Sequence, residues 1–294
     1  METGPGTRRA RRRCVMLEGM TQASAPLPLS TRTSTALITG ASSGIGESLA
    51  RQLAARGANL ILVARNETRL EALAAELRAH CHVQVHVLPA DLNRPDAAAD
   101  LSREVRARGL TVDILVNNAG LGSYGEFSTQ QTAEIDHMIA VNISALTGLT
   151  RAFLPDMLTR GRGRVLNVAS TAAFQPGPLM AVYYATKAYV LSFSEAIAEE
   201  VAGSGVFVTA LCPGPVQTGF QAVSQLHESD LLSGPARLTM LSADEVARLG
   251  VQGMLRGQRV VVAGQLNRVQ TLLPRLLPRA VVTRLIARVQ ARRH

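Results

Sequence analysis

The chain is predicted to form a doubly wound α/β fold, a mostly parallel sheet of seven strands with helices on both faces, built from residues 34–264 as one domain. Three observations carry this. Apolar runs alternate with helix-period stretches along that whole span, from TALIT at 35 to RVVVAG at 259, which is the pattern of an α/β sheet. Runs such as RVLNVAS, ending at Ser170, read as buried strands. A Gly-rich turn, Gly40 to Gly46, follows the first run directly and opens a helix, the strand-turn-helix unit that binds phosphates.

Composition sets the outer limits. With 294 residues, 47% of them hydrophobic, the chain can bury a substantial core. No uninterrupted apolar stretch approaches the ~20 residues of a membrane-spanning helix, and a cytoplasmic protein is expected. Cys14, Cys81 and Cys212 show no metal-ligand spacing and are odd in number, so no disulfide framework and no metal site are expected. The net charge of +9 sits at the ends: residues 1–20 have five Arg against two acids, and residues 246–294 have ten Arg and no acid, leaving the centre negative. That distribution, with only 3% aromatic residues, argues against a nucleic-acid binder.

Residues 1–33, with RRARRRC and ASAPLPLS, show no sustained periodicity and read as a flexible extension. The first strand is TALIT, and the helix after the glycine turn is expected from Ile45 to Ala55. Gly40, Gly44 and Gly46 let backbone approach a pyrophosphate, the helix N-terminus offers free N–H groups, and Ser42 and Ser43 add hydroxyl donors around Ile45. The second strand, ANLILVAR, ends in Ala64 and Arg65. An acidic residue usually stands there to hold a ribose hydroxyl pair, whereas a guanidinium binds a 2′-phosphate, so NADP(H) is favoured over NAD(H).

VQVHVLP leads to Asp91 and Leu92, and VDILVNNAG closes on Asn117, Asn118, Ala119 and Gly120. A single long helix is expected over about Thr132–Arg160. It contains Asn142 among apolar neighbours, which calls for a hydrogen-bonding reason. Beyond the next strand, GVFVTALCPGPVQTGF, residues 220–241 lack periodicity and read as a substrate loop beyond the strand ends. Ser242-Ala-Asp-Glu245 is a capping box, RVVVAG is the seventh strand, and residues 265–294 form an Arg-rich amphipathic tail. In that tail Val281, Val282, Leu285, Ile286 and Val289 share one helical arc, with Arg279, Arg284 and Arg288 at its margins. The arc is read first as packing on the protein or a partner subunit, because apolar helical stripes are usually buried in protein, with peripheral contact with an anionic membrane as the alternative.

The centre of the chain is Ser170–Lys187. Lys187 is the sole lysine beside thirty arginines, so it stands where Arg does not substitute. It follows Tyr183 by four residues on a helical stretch, so the two share one face, and a nearby ammonium stabilises a phenolate. Ser170 precedes Tyr183 by thirteen residues. Here the chain resembles the short-chain dehydrogenase/reductase family, with its Rossmann-type sheet and Ser and Tyr-x-x-x-Lys signature; Tyr184 has the wrong offset.

The resemblance covers residues 34–264 and includes the T-G-x-x-x-G-x-G turn, NNAG, Asn142 and the segment Pro213-Gly214-Pro215-Val216-x-Thr218. It implies hydride transfer between a nicotinamide and a carbonyl or secondary alcohol. Tyr183 would then handle the proton, and Ser170 would bind the substrate oxygen. Lys187 would tune Tyr183 and hold the nicotinamide ribose, while Asn142 would link Lys187 to water. Asp91 and Leu92 would contact adenine, and Asn118, Ala119, Gly120, Pro213, Gly214, Val216 and Thr218 would line the cofactor. Phe174, Leu179, Met180 and Phe220 suggest a hydrophobic pocket, and a homo-oligomer is expected. A cofactor-binding scaffold, and a lyase or epimerase that recycles its nicotinamide, are the alternatives.

Overall fold

The computed structural model describes residues 34–216 and 240–290. The N-terminal extension, Thr218, Phe220 and nearly all of the expected substrate loop lie outside the described residues.

The strands are β1 (Thr35–Thr39), β2 (Asn59–Val63), β3 (Val85–Val87), β4 (Ile114–Asn117), β5 (Gly163–Val168), β6 (Val206–Cys212) and β7 (Val260–Val262). They form one sheet in the order β3-β2-β1-β4-β5-β6-β7, with every pairing parallel. The chain winds outward from β1 in both directions, so the carboxyl ends of β1 and β4 flank the switch point where ligands enter such sheets.

Alternation along each strand feeds two cores. Ile38, Leu60, Leu62, Leu166 and Leu211 face helices α1 (Gly44–Ala54), α2 (Glu67–Cys81) and α7 (Ala243–Leu255). Their neighbours Leu37, Ile61, Leu115, Val165 and Val208 face α3 (Ala97–Ala107), α5 (Leu146–Thr159) and α6 (Ala181–Glu200). Burial on both faces explains why these strands read as apolar runs.

Local signals set the helix ends. Asn66 caps α2 by accepting the Arg69 N–H at 3.0 Å. Ser242 caps α7 by accepting the Glu245 N–H at 3.1 Å, and the Ser48 hydroxyl donates to Asp244 Oδ1 at 2.6 Å, tying α1 to α7. Val216 and Leu241 form a parallel bridge, so the two ends flanking residues 217–239 lie side by side.

The helix expected over 132–160 is present as α4 (Thr132–Ile139), a π-helical turn (Ala140–Ala145) and α5. By length and composition this run could cross a bilayer, yet Leu149, Phe153 and Met157 belong to the core. The C-terminal segment forms two further helices, α8 (Gln265–Leu276) and α9 (Arg279–Val289); α8 packs on the turn Thr171–Phe174, and α9 places Ile286 against Tyr124 and Tyr184.

Candidate active site

The glycine turn is shaped by contacts that exclude side chains. Gly40 has φ +66°, and a Cβ there would stand 2.8 Å from Asn118 Nδ2; one on Gly46 would strike the Gly40 carbonyl oxygen. Backbone thus lies bare at the N-terminus of α1. Ser43 holds the N-cap position without spending its hydroxyl on the helix, and it is exposed.

Thr39 fastens this turn to β4. Its Oγ1 accepts the N–H groups of Asn118 and Ala119, both at 3.0 Å, and Asn118 Nδ2 donates to the Thr39 carbonyl at 2.9 Å. Asn117 points the other way, donating to Asn167 Oδ1 at 2.9 Å and to Thr150 at 3.1 Å, and Asn167 donates in turn to Ser194. This buried polar string fixes β4, β5, α5 and α6 relative to one another.

The π turn explains Asn142, which is 1% exposed. Its Oδ1 accepts the Leu121 N–H at 2.8 Å, while Nδ2 donates to the Leu121 carbonyl at 2.9 Å and to Thr186 Oγ1 at 3.0 Å. The widened helical turn seats the amide between the strand-end loop and α6, a common use of π turns. Asn142 Oδ1 and Lys187 Nζ face one point: a Cβ on Gly120 would stand 3.4 Å from the first and 3.3 Å from the second.

Ser170 ends β5 in extended backbone and caps the short 3-10 turn Thr171–Phe174, its Oγ accepting the Ala172 N–H at 3.1 Å. It hydrogen-bonds Tyr183 on α6. Lys187 lies one turn farther along α6, only 5% exposed, donating to the Val168 carbonyl at 2.9 Å; its Nζ is 5.8 Å from the Tyr183 ring centre.

The electrostatics differ from the sequence expectation in one respect. Burial pushes the Tyr183 phenol up to about 12, with only the Ser170 hydrogen bond pulling it back. Burial likewise pushes Lys187 down to about 8, against a smaller opposing influence from Cys212. Desolvation therefore outweighs the expected lowering of the tyrosine by the lysine, because the ammonium is itself stripped of water and hydrogen-bonded to Val168 rather than to the phenol. The Cys212 thiol is buried and pushed up to about 12, so it stays neutral while receiving the Ser170 backbone N–H.

Arg65 is exposed just beyond β2, and no ion pair to it is present among the described residues. Asp91 is exposed, and its Oδ1 accepts the Asn93 N–H at 3.1 Å, closing a turn. Leu92 is buried in the α3/α5/α6-side core. Pro213 accepts the Thr171 N–H through its carbonyl at 2.8 Å, Gly214 lies under Asn267, and Val216 is buried beside α1 and α7.

Beside Tyr183, Tyr124, Ala172, Met180 and Tyr184 form a small apolar cluster, joined by Leu179, Tyr183 and Ile286. Leu179 takes φ +64°, a strained setting for a non-glycine residue,. Phe174, expected in this pocket, packs instead with Leu146, Val190 and Leu191.

The family model for short chain dehydrogenase matches residues 34–229. The chain is a short-chain dehydrogenase. An uncharacterized oxidoreductase from Staphylococcus epidermidis is 37% identical over 183 residues, which are 62% of this chain and 78% of that one. A short-chain dehydrogenase from Sphingobium yanoikuyae, solved with NADPH, is 34% identical with a TM-score of 0.71, covering 84% of this chain and 97% of its own. One from Burkholderia phymatum, solved with NAD, is 25% identical with a TM-score of 0.74 and covers 84% and 94%.

As an oxidoreductase of this family, the enzyme moves a hydride between a nicotinamide cofactor and a carbonyl or alcohol carbon. The bare backbone at Gly40, Gly46 and Gly120, the free Ser43 hydroxyl and the α1 N-terminus fit such a cofactor. Sequence reasoning gave Thr39 no role beyond its place in the glycine-turn motif, and missed Asn167, Tyr124 and Gln290. Thr39 and Asn167 lay within strands, where only the polar interruption of an apolar run could have drawn attention.

Proposed function

We propose that this dehydrogenase reduces an apolar carbonyl compound with NADPH. The observation that carries the reading is the Ser170–Tyr183 hydrogen bond, with Lys187 one helical turn away, beside the glycine turn at the strand ends. A bound nicotinamide supplies the hydride. Ser170 and Tyr183 donate to the substrate oxygen and hold it as negative charge builds there, and Tyr183 gives up its proton to that oxygen. A neutral phenol is the right state for a donor, and its burial keeps it protonated until the oxygen becomes basic.

Lys187 and Asn142, facing one point beside Gly120, carry replacement protons inward, and Lys187 also holds the nicotinamide ribose. A lysine poised near pH 8 accepts and releases protons readily. Gly40, Ser42, Ser43, Gly44, Ile45 and Gly46 hold the pyrophosphate. Asp91 and Leu92 flank the adenine. Asn118, Ala119, Gly120, Pro213, Gly214, Val216 and Thr218 line the nicotinamide half. NADPH rather than NADH is supported by the exposed Arg65 beside Ala64, where an acid would repel a 2′-phosphate.

An apolar substrate is supported by Leu179, Met180, Tyr184 and Ile286 around Tyr183. The same reading takes the enzyme to be a cytoplasmic homo-oligomer that touches membranes peripherally through residues 265–294. The test is a panel of ketones and aldehydes of graded apolar size, followed by NADPH absorbance. Oxidation of NADPH that rises with apolar size supports the reading. Cofactor binding with no turnover across the panel overturns it.

A further inference from the structure

Helix α8 is turned inside out. Asn267, 1% exposed, and Thr271 point into the protein, where Asn267 lies on Gly214 and donates to the Ala263 carbonyl at 2.7 Å. The opposite side, an arc of ~120° at 100° per residue, is Leu266, Val269, Leu272, Leu273 and Leu276, all more than half exposed, with Leu276 at 79%. A helix in water buries its apolar stripe; this one presents it.

Helix α9 continues the surface. The arc read from the sequence is split: Val282 and Ile286 face inward, while Val281, Leu285 and Val289 face outward. Exposed Arg284 and Arg288 flank the outward row on its far side. Eight of the thirteen large exposed apolar residues among the described residues belong to these two helices, and Leu277 between them is a ninth, so the patch is concentrated rather than scattered.

The inward faces touch the active site. α8 packs on the turn Thr171–Phe174 that follows Ser170. At the end of α9, Gln290 is fully buried; its Nε2 donates to the Tyr184 hydroxyl at 2.6 Å, and its carbonyl accepts from the Tyr124 hydroxyl at 2.5 Å. Ile286 packs in the tyrosine cluster. One helix thickness, ~10 Å, thus separates the substrate wall from the apolar patch.

We propose that the outward faces of α8 and α9 dock this enzyme on an anionic lipid bilayer, with the substrate side of the active site turned toward the membrane. Deepening the peripheral contact named above, this assigns the contacting surface and makes the substrate a carbonyl compound dissolved in lipid. Charge selects the occupant. Exposed Arg284 and Arg288 border the outward row, and residues 246–294 hold ten arginines and no acid, so anionic headgroups complement this edge of the apolar patch. A second copy on the same face would oppose arginine with arginine and bring no acid from that segment to neutralise it.

The test compares full-length wild type with Leu272→Glu/Leu276→Glu and with Arg284→Gln/Arg288→Gln, all outside the catalytic machinery. Co-sedimentation uses phosphatidylcholine vesicles with and without about a third phosphatidylglycerol, at low and high salt. Wild type is expected to bind only the anionic vesicles, more weakly in high salt. The leucine variant is expected to lose binding, and the arginine variant to bind about fivefold more weakly per arginine removed. NADPH turnover is followed with cyclohexanone in water and with a long-chain methyl ketone held in the vesicles. Both variants should match wild type on cyclohexanone and lose rate on the vesicle-borne ketone.

Absence of binding to anionic vesicles overturns the proposal, and an oligomer dissolved by the leucine variant then identifies the patch as a contact between copies. Wild-type binding with vesicle-borne ketone rates equal across all three proteins overturns delivery from lipid. Inactivity toward both ketones, with vesicle binding intact, counts against the proposed reduction and leaves the docking surface standing. Because binding is read without turnover, the two failures are distinct.

Discussion

Replacing Lys187 with Met removes a buried ammonium while keeping an unbranched chain, and the consequence is a change in how stability depends on pH. The folded protein holds Lys187 near 8, against 10.5 for a free lysine. Between those values the unfolded chain binds more protons than the folded one, so folding stability rises with pH across that window. The penalty is fully present below about pH 8 and fades as pH approaches 10.5. Integrated from pH 7 to pH 10, wild-type stability should gain about 2.5 kcal/mol relative to the variant.

Loss of the Val168 hydrogen bond in the variant shifts the comparison by a roughly constant ~1–3 kcal/mol. Tyr183, raised toward 12, titrates in both proteins and largely cancels. Urea unfolding of each protein at four pH values gives the difference directly. Because Lys187 is the sole lysine, isotope labelling of lysine alone also gives one side-chain resonance, whose midpoint should lie near 8. A stability difference that stays flat, with a resonance titrating above 10, would refute the desolvation argument.

Tyr183→Phe should keep NADPH binding and lose ~10²- to 10⁴-fold in turnover, whereas Tyr184→Phe should keep turnover within a few-fold and lose ~1 kcal/mol of stability with its Gln290 bond; equal losses of activity would remove Tyr183 from its special place. Arg65→Asp should weaken NADPH and favour NADH by ~1.5–3 kcal/mol in paired titrations, and an unchanged ratio of affinities would remove Arg65 from cofactor selection. Thr39→Val strands the N–H groups of Asn118 and Ala119, so it should destabilise by ~2–4 kcal/mol and weaken cofactor binding. A loss below ~0.5 kcal/mol would show that those groups find other partners.

Residue type and spacing made the reacting centre legible before any coordinates: Ser170, Tyr183 and Lys187 depend on one strand end and one helix face, both local properties. The sheet was legible for the same reason, since each strand is buried on both faces and reads as an apolar run. Direction was not legible. Periodicity places Val281, Val282, Leu285, Ile286 and Val289 on one arc, yet only packing decides that Val282 and Ile286 turn in and the others out.

The inverted α8 is harder still, because Asn267 and Thr271 look like a solvated face until Gly214 is seen against Asn267 and Thr271 is found buried. The π turn at Asn142 was signalled only by an amide among apolar neighbours; its cause, the Leu121 backbone, lies 21 residues earlier. The tyrosine's rise rather than fall reflects burial, which no spacing of two side chains conveys. Gln290 reaches Tyr124 across 166 residues, a contact set by the docking of α9 and visible only in the folded chain.

The most direct test of hydride transfer from this site uses NADPH deuterated at the transferable position, with a ketone from the panel and mass analysis of the alcohol. One deuterium on the carbinol carbon for each NADPH consumed is expected in wild type, with the same label but a rate lower by ~10²-fold or more in Tyr183→Phe. Substrate turnover without NADPH consumption and without label, or full-rate labelled product from Tyr183→Phe, would contradict the account.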